Sequence, residues 1–117
     1  MVYHWAKGTG ITTGLLTIYI RHTSASLLIN ENYDSDVIGD LERFFARLVH
    51  DGDPLFEHTI EGPDDMPANV RTALTQTHLS IPIIDSKPTL GTWQGIFLYE
   101  HRHTVASRQV VLHLIGE

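Results

Sequence analysis

The run Gly14-Leu15-Leu16-Thr17-Ile18-Tyr19-Ile20-Arg21 decides the fold. Leu16, Ile18 and Ile20 alternate with Leu15, Thr17, Tyr19 and Arg21, the two-residue period of a strand with one face turned to a core. After a break at His22-Thr23-Ser24, residues 25–29 read as a second short strand. From Ser35 the period changes. Val37, Ile38, Leu41, Phe44, Phe45, Leu48 and Val49 fall at helical spacing, behind an Asp34 or Ser35 cap and ahead of Gly52 and Pro54, which predicts an amphipathic helix packed by one face. A second helix is expected near Asp65, where a carboxylate precedes Pro67 in the first turn and Val70, Ala73, Leu74 and Thr77 supply a narrow apolar stripe. Strand-like runs follow at 79–84, 96–102 and 108–115, with a turn region at 87–95 between the first two. The order lacks the strand–helix alternation of a parallel sheet, so a single α+β domain over 1–117, mainly antiparallel, is the economical reading.

Composition narrows the function. The 117 residues are 42% hydrophobic and 19% charged, which suits one domain with its own core. A net charge of -6 argues against a sequence-independent grip on nucleic acid. The apolar stretches fall well short of the ~20 residues that cross a bilayer. The first residues lack the basic start and apolar centre of a signal peptide, so a cytoplasmic protein with no nucleic-acid or membrane partner is expected. Cysteine is absent, which removes thiolate nucleophiles and Cys-based zinc sites. Eight histidines make metal, phosphate or proton-transfer chemistry worth examining. Residues 31–65 hold eleven acids and two bases, while the rest of the chain is net basic; a solvated acidic surface explains most of that split.

Five places carry polar chemistry. His22-Thr23-Ser24-Ala25-Ser26 ends a strand in a ring nitrogen and three hydroxyls, a turn that can meet an anion or metal. Glu61-Gly62-Pro63-Asp64-Asp65-Met66-Pro67-Ala68-Asn69 sets adjacent carboxylates at a helix start, where they can cap the helix, bind Mg²⁺ or share a proton. Gly91-Thr92-Trp93-Gln94-Gly95 brackets a flat aromatic between glycines, either a tight ligand loop or a simple hairpin connection. Along an extended Glu100-His101-Arg102-His103, the two histidines face one way and Glu100 and Arg102 the other, which predicts that the four do not form one site. Asn30-Glu31-Asn32 reads as a turn with cap residues. His4, His50, His58, His78 and His113 have no companions nearby in sequence and default to structural or surface roles.

Taken in this order and at these separations, the segments closely resemble the YjbQ family, also called UPF0047, from about Tyr3 to the last strand. The resemblance implies a β-sandwich similar to a jelly roll with two or three flanking helices, assembled as a homotrimer with clefts between subunits. It also implies a weak thiamine phosphate synthase activity, which joins hydroxymethylpyrimidine diphosphate to thiazole phosphate with release of diphosphate. Carried onto this chain, it places Asp65, Glu100 and Arg102 in catalytic roles and Thr23, Ser24, Asp64, Trp93 and Gln94 around a small phosphorylated metabolite. His22 and His101 would be ligands for a divalent metal, zinc or magnesium. In that scheme Arg102 and His22 hold phosphate oxygens, Trp93 stacks on the pyrimidine and Glu100 contacts its ring nitrogen or amino group.

Two departures stand out. The family motif usually reads Met-Pro-Ala-His, whereas Asn69 stands at the position of that third histidine, and Asn neither shuttles a proton near neutral pH nor ligates zinc well. Relatives also usually carry a further N-terminal strand ahead of the segment matching Tyr3, and without it a sheet edge is expected to be unpaired. The alternative reading is a non-catalytic trimer that binds a metal or a phosphometabolite, which Asn69 favours.

Overall fold

The computed structural model describes residues 1–104 and 106–117. Its order is α1 (Val2–Gly8), β1 (Thr13–Ile20), β2 (Ala25–Glu31), α2 (Ser35–Leu48), α3 (Asp65–Leu74), β3 (His78–Ile84), β4 (Lys87–Pro88), β5 (Gln94–Glu100) and β6 (Val110–Gly116). The α+β expectation holds, with three helices and antiparallel pairing throughout. The strands form a four-stranded sheet in the order β4-β3-β1-β6 and a two-stranded sheet, β2-β5. No helix among the described residues is long and apolar enough to cross a membrane.

Alternation in β1 does what the pattern predicts: Leu16, Ile18 and Ile20 are buried. β3 repeats it with Leu79, Ile81 and Ile83. These two rows pack against Ala25 and Leu27 of β2, and Ala6 of α1 closes the core. The sequence pattern does not predict the helical start, since α1 has 7 residues, about two turns. At the β3–β4 connection Asp85 and Ser86 both have positive φ, 53° and 62°, which is the hairpin turn whose twist matches flanking strands, made here without glycine. Gly14 and Gly116 are register partners across β1 and β6. A Cβ on Gly116 would lie 2.1 Å from the Thr13 carbonyl oxygen, so only glycine fits there.

Both interior helices depart from the expected packing. The Asp34 side chain caps α2 by accepting from the Asp36 N–H, yet no residue of α2 is fully buried, and Phe44 and Leu48 remain 50% and 53% exposed. The rest of its apolar face is half-buried: Val37, Ile38 and Leu41 are partly covered and Phe45 packs edge-on to Tyr99. In α3 the expected stripe is wrong: Ala73 and Leu74 are exposed, and the helix buries Asp65, Pro67, Ala68 and Arg71 instead. Its charged face points inward. The chain extends 51 × 29 × 20 Å with a radius of gyration of 16.4 Å. A compact domain of this length has about 13 Å.

Candidate functional site

The inward charges of α3 meet the end of β5. Arg102 donates from Nη1 to Asp65 Oδ1 at 3.0 Å, and from Nη2 to Asp64 Oδ1 at 2.9 Å and the Glu61 carbonyl at 2.8 Å. Asp64 occupies the N-cap position of α3 but makes no side-chain cap bond. Its second oxygen accepts the backbone N–H of His103 at 3.0 Å. That N–H and the Arg102 guanidinium hold the Asp64 carboxyl below its ordinary value, although burial pulls the other way. Gly62, at φ 110°, lets the Glu61–Gly62 backbone lie against this pair; a Cβ there would sit 3.5 Å from Asp64 Oδ1.

Asp65 gathers three donors. Besides Arg102, its Oδ2 is 2.8 Å from His58 Nε2 and accepts from Asn69 Nδ2 at 3.3 Å. Asn69 also donates to the Asp65 carbonyl at 3.0 Å, so the amide at the family's histidine position is tied down beside the carboxylate. Sequence alone gives His58 only a structural or surface default, since no companion residue lies nearby.

Glu100 is built differently. Arg108 bonds both of its carboxylate oxygens, with Nε 2.7 Å from Oε2, and also donates to Ser24 Oγ at 2.9 Å. Burial pushes the Glu100 carboxyl up, and the Arg108 guanidinium with the Arg102 and His101 N–H groups more than offsets it, leaving a net lowering. Between these ion pairs lies His101, 3% exposed, with Nε2 2.8 Å from Ser26 Oγ and its ring 4.4 Å from that of Tyr99. Burial, and then the charge of Arg71, depress His101 to about 4, so it is neutral at neutral pH.

The extended-chain expectation for 100–103 is corrected here. β5 stops at Glu100 and the chain turns, so Glu100, His101, Arg102 and His103 all border one open hollow of about 350 Å³, together with Glu42, Arg71 and Tyr99. Ser24, Asp64, Asp65 and Asn69 bond to residues of this hollow or to each other. His22, Thr23 and Ser24 line a second, shallow hollow with Tyr19 and Arg21, and the Ser24 carbonyl accepts the His101 N–H at 3.1 Å. Trp93 and Gln94 are not brought in. Gln94 pairs with Glu31 at one end of the β2–β5 ladder and Glu100 pairs with Ala25 at the other, a separation of about 20 Å. There Trp93 packs edge-on to Tyr33, and Gln94 Oε1 accepts the Gly91 N–H at 2.8 Å.

A metal shared by His22, His101 and the Asn69 position does not fit one chain. His22 Nε2 accepts the Gln109 N–H at 2.8 Å, which leaves Nδ1 as its other ring nitrogen for a ligand. His101 borders a different hollow, and no group of three or more His, Cys, Asp or Glu among the described residues could hold a metal ion.

Sequence reasoning missed His58, Arg71 and Arg108. The apolar-stripe reading of α3 concealed Arg71, whereas the spacing of Asp65, Ala68 and Arg71 at three-residue steps on one helical face could have exposed it.

A two-sheet α+β domain with a buried carboxylate–guanidinium cluster at one end of its smaller sheet is the class these features define. The family model described as UPF0047 protein YjbQ-like matches residues 1–117, and the chain belongs to that family. It is 52% identical over 109 residues to the UPF0047 protein sll1880 of Synechocystis, covering 93% of this chain and 74% of that protein. It is 45% identical over 107 residues to the UPF0047 protein YjbQ of Escherichia coli O157:H7, covering 92% and 77%. Among solved structures, a hypothetical protein of Aeropyrum pernix superposes with a TM-score of 0.89 at 28% identity, covering 99% of this chain and 84% of that one. An uncharacterised YjbQ/UPF0047 protein of Clostridium acetobutylicum gives 0.86 at 30%, covering 97% and 84%.

Proposed function

We propose that the protein is a homotrimeric enzyme acting on a small phosphorylated metabolite, with thiamine phosphate synthase-like transfer as its specific reaction. In that reaction the thiazole nitrogen bonds to the methylene carbon of hydroxymethylpyrimidine diphosphate as the carbon–oxygen bond to diphosphate breaks. The observation that supports it is the interlocked set Asp64–Arg102–Asp65 beside neutral His101 and paired Glu100, drawn from separate segments of the chain. Such convergence of buried charge at one hollow is typical of sites that bind charged reactants.

The geometry reassigns roles. Both terminal nitrogens of Arg102 are occupied by carboxylates, so it organises Asp64 and Asp65 rather than gripping phosphate alone. Trp93 and Gln94 join this hollow only from a neighbouring subunit. Two exposed apolar faces support assembly: Phe44 and Leu48 on α2, and the register partners Leu15–Ile115 and Tyr19–Val111 on the outer face of the larger sheet. A divalent ion held by His22 and His101 would likewise draw its ligands from different subunits.

The test is incubation of purified protein with both phosphorylated substrates and Mg²⁺, with mass-spectrometric detection of thiamine phosphate. Product that disappears in the Asp65→Asn/Arg102→Gln double variant supports the reading, and absence of product from trimeric wild type sinks it. The second reading, a trimer that binds a phosphometabolite or a metal without turning it over, is favoured by Asn69 and by the full engagement of Arg102. Elemental mass spectrometry on protein purified without chelator measures its metal content per chain.

A further inference from the structure

Arg71 sits in the last turn of α3 and is 9% exposed. Among the described residues no carboxylate lies within ion-pair distance of it. Its Nη2 donates to the Val49 carbonyl at 3.1 Å, its Nη1 reaches the His101 carbonyl only at 3.4 Å, and its Nε is buried without a partner. A buried guanidinium is ordinarily matched by an anion, because carbonyl dipoles compensate a full charge incompletely. The carbonyl end of α3 offsets part of the remainder.

Two residues that line the same hollow also carry a buried nitrogen without a partner, His101 Nδ1 and Arg102 Nε. Of its two glutamates, Glu100 is already bonded by Arg108. Glu42 is exposed at the rim, where solvent and salt weaken its opposition to an incoming anion.

We propose that this hollow binds a phosphoryl group and that Arg71 is its anchor. The Arg71 guanidinium borders the hollow with its charge met only by carbonyl dipoles, and a phosphoryl group answers it with more charge and more acceptor oxygens than a carboxylate. Binding exchanges the long Arg71–His101 carbonyl contact for a charge-assisted bond. The inference rests on the phosphometabolite reading for its ligand class, and it assigns a residue that neither sequence motif nor family resemblance singled out.

The experiment follows thermal unfolding and isothermal titration with inorganic phosphate and diphosphate, against sodium chloride at matched ionic strength and against acetate. Wild type is expected to bind phosphate or diphosphate saturably and to gain melting temperature, with little response to chloride or acetate. Arg71→Gln should weaken the phosphate affinity at least tenfold, and Arg71→Lys should keep part of it. Since Arg71→Gln also loses two carbonyl contacts, a wild-type nitrogen-15 titration provides a check that needs no variant: the Arg71 Nε–H signal should move with added phosphate.

An unmoved Arg71 signal, an Arg71→Gln response equal to wild type, or an equal response to acetate would each overturn the assignment. Phosphate binding through Arg71 in protein that makes no thiamine phosphate would leave the anchor standing and remove the transfer reaction. Transfer with no phosphate response at Arg71 would do the reverse.

Discussion

Arg102 Nη1 lies 3.0 Å from Asp65 Oδ1, although 37 residues separate the two in sequence, and the pair fastens the end of β5 to the first turn of α3. Replacing Arg102 with Gln leaves Asp64 and Asp65 as adjacent buried carboxylates with their shared cation gone. Such acids resist ionisation, so folding of the variant should gain from protonation and its deficit should shrink as pH falls. Arg102→Gln is expected to melt several degrees below wild type at pH 7.5 and closer to it at pH 5. Calorimetric melting at the two pH values checks this, and an equal deficit at both would contradict it.

Wild-type stability should fall on acidification in two stages. His101 has a folded value of about 4 against an ordinary 6.5, so the unfolded chain takes up a proton in that window and the folded chain does not. Stability is therefore full above pH 6.5 and declines as pH drops towards 4, by on the order of 3 kcal/mol. Asp64 and Glu100, both held below their ordinary values, add a further loss as pH falls below the usual carboxylate range. Urea unfolding between pH 7.5 and 4 measures the first stage, and His101→Gln should flatten it.

Ser26→Ala removes the buried hydroxyl partnered with His101 Nε2. The orphaned ring nitrogen should destabilise the fold by about 1–3 kcal/mol. Denaturant titration at pH 7.5 reads it, and a change below about 0.5 kcal/mol would show that the bond contributes little.

Glycine substitutions should separate close approach from backbone conformation. Gly116→Ala and Gly14→Ala drive a Cβ into the facing backbone, at 2.1 Å from Thr13 O and 2.3 Å from Ile115 O, and should each cost about 2 kcal/mol or more. Gly10, with φ 75° and nothing within 4 Å of its Cβ, pays only the conformational penalty of about 1 kcal/mol. Parallel thermal melts rank the three.

Phe44→Asp with Leu48→Asp charges the exposed face of α2 without touching a buried residue. Light scattering after gel filtration should show wild type as a trimer and the variant as smaller species, with circular dichroism unchanged. A variant that keeps the wild-type mass would place the subunit contact elsewhere.

Much of the fold was legible because its signals are local. The alternation in β1 is direct evidence of one buried face, and Asp34 announces the start of α2 by the chemistry of its side chain. α3 was misread because apolar spacing ranks burial by hydrophobicity, whereas this helix buries Asp65 and Arg71 through partners some 30 residues away. The motif residues Asp64, Asp65, Glu100 and Arg102 do meet, but His58 and Arg108 complete their bonding from positions with no local signature. Trp93 belongs to the far end of the β2–β5 ladder, a distance no single-chain reading of the motif could reveal.

The strand that organises the larger sheet is β1, and one of its two partners, β6, lies far from it along the chain. β1 is flanked by β3 and β6, and β6 ends at Gly116 of 117 residues. During synthesis the edge of β1 that pairs with β6 waits until Val110–Gly116 have been made. Closing a loop of about 100 residues is slow, and an unpaired strand edge is an aggregation template meanwhile. Expression yield should therefore depend on how quickly synthesis reaches β6, and truncations that remove β6 should fail as insoluble protein rather than as trimmed but folded domains.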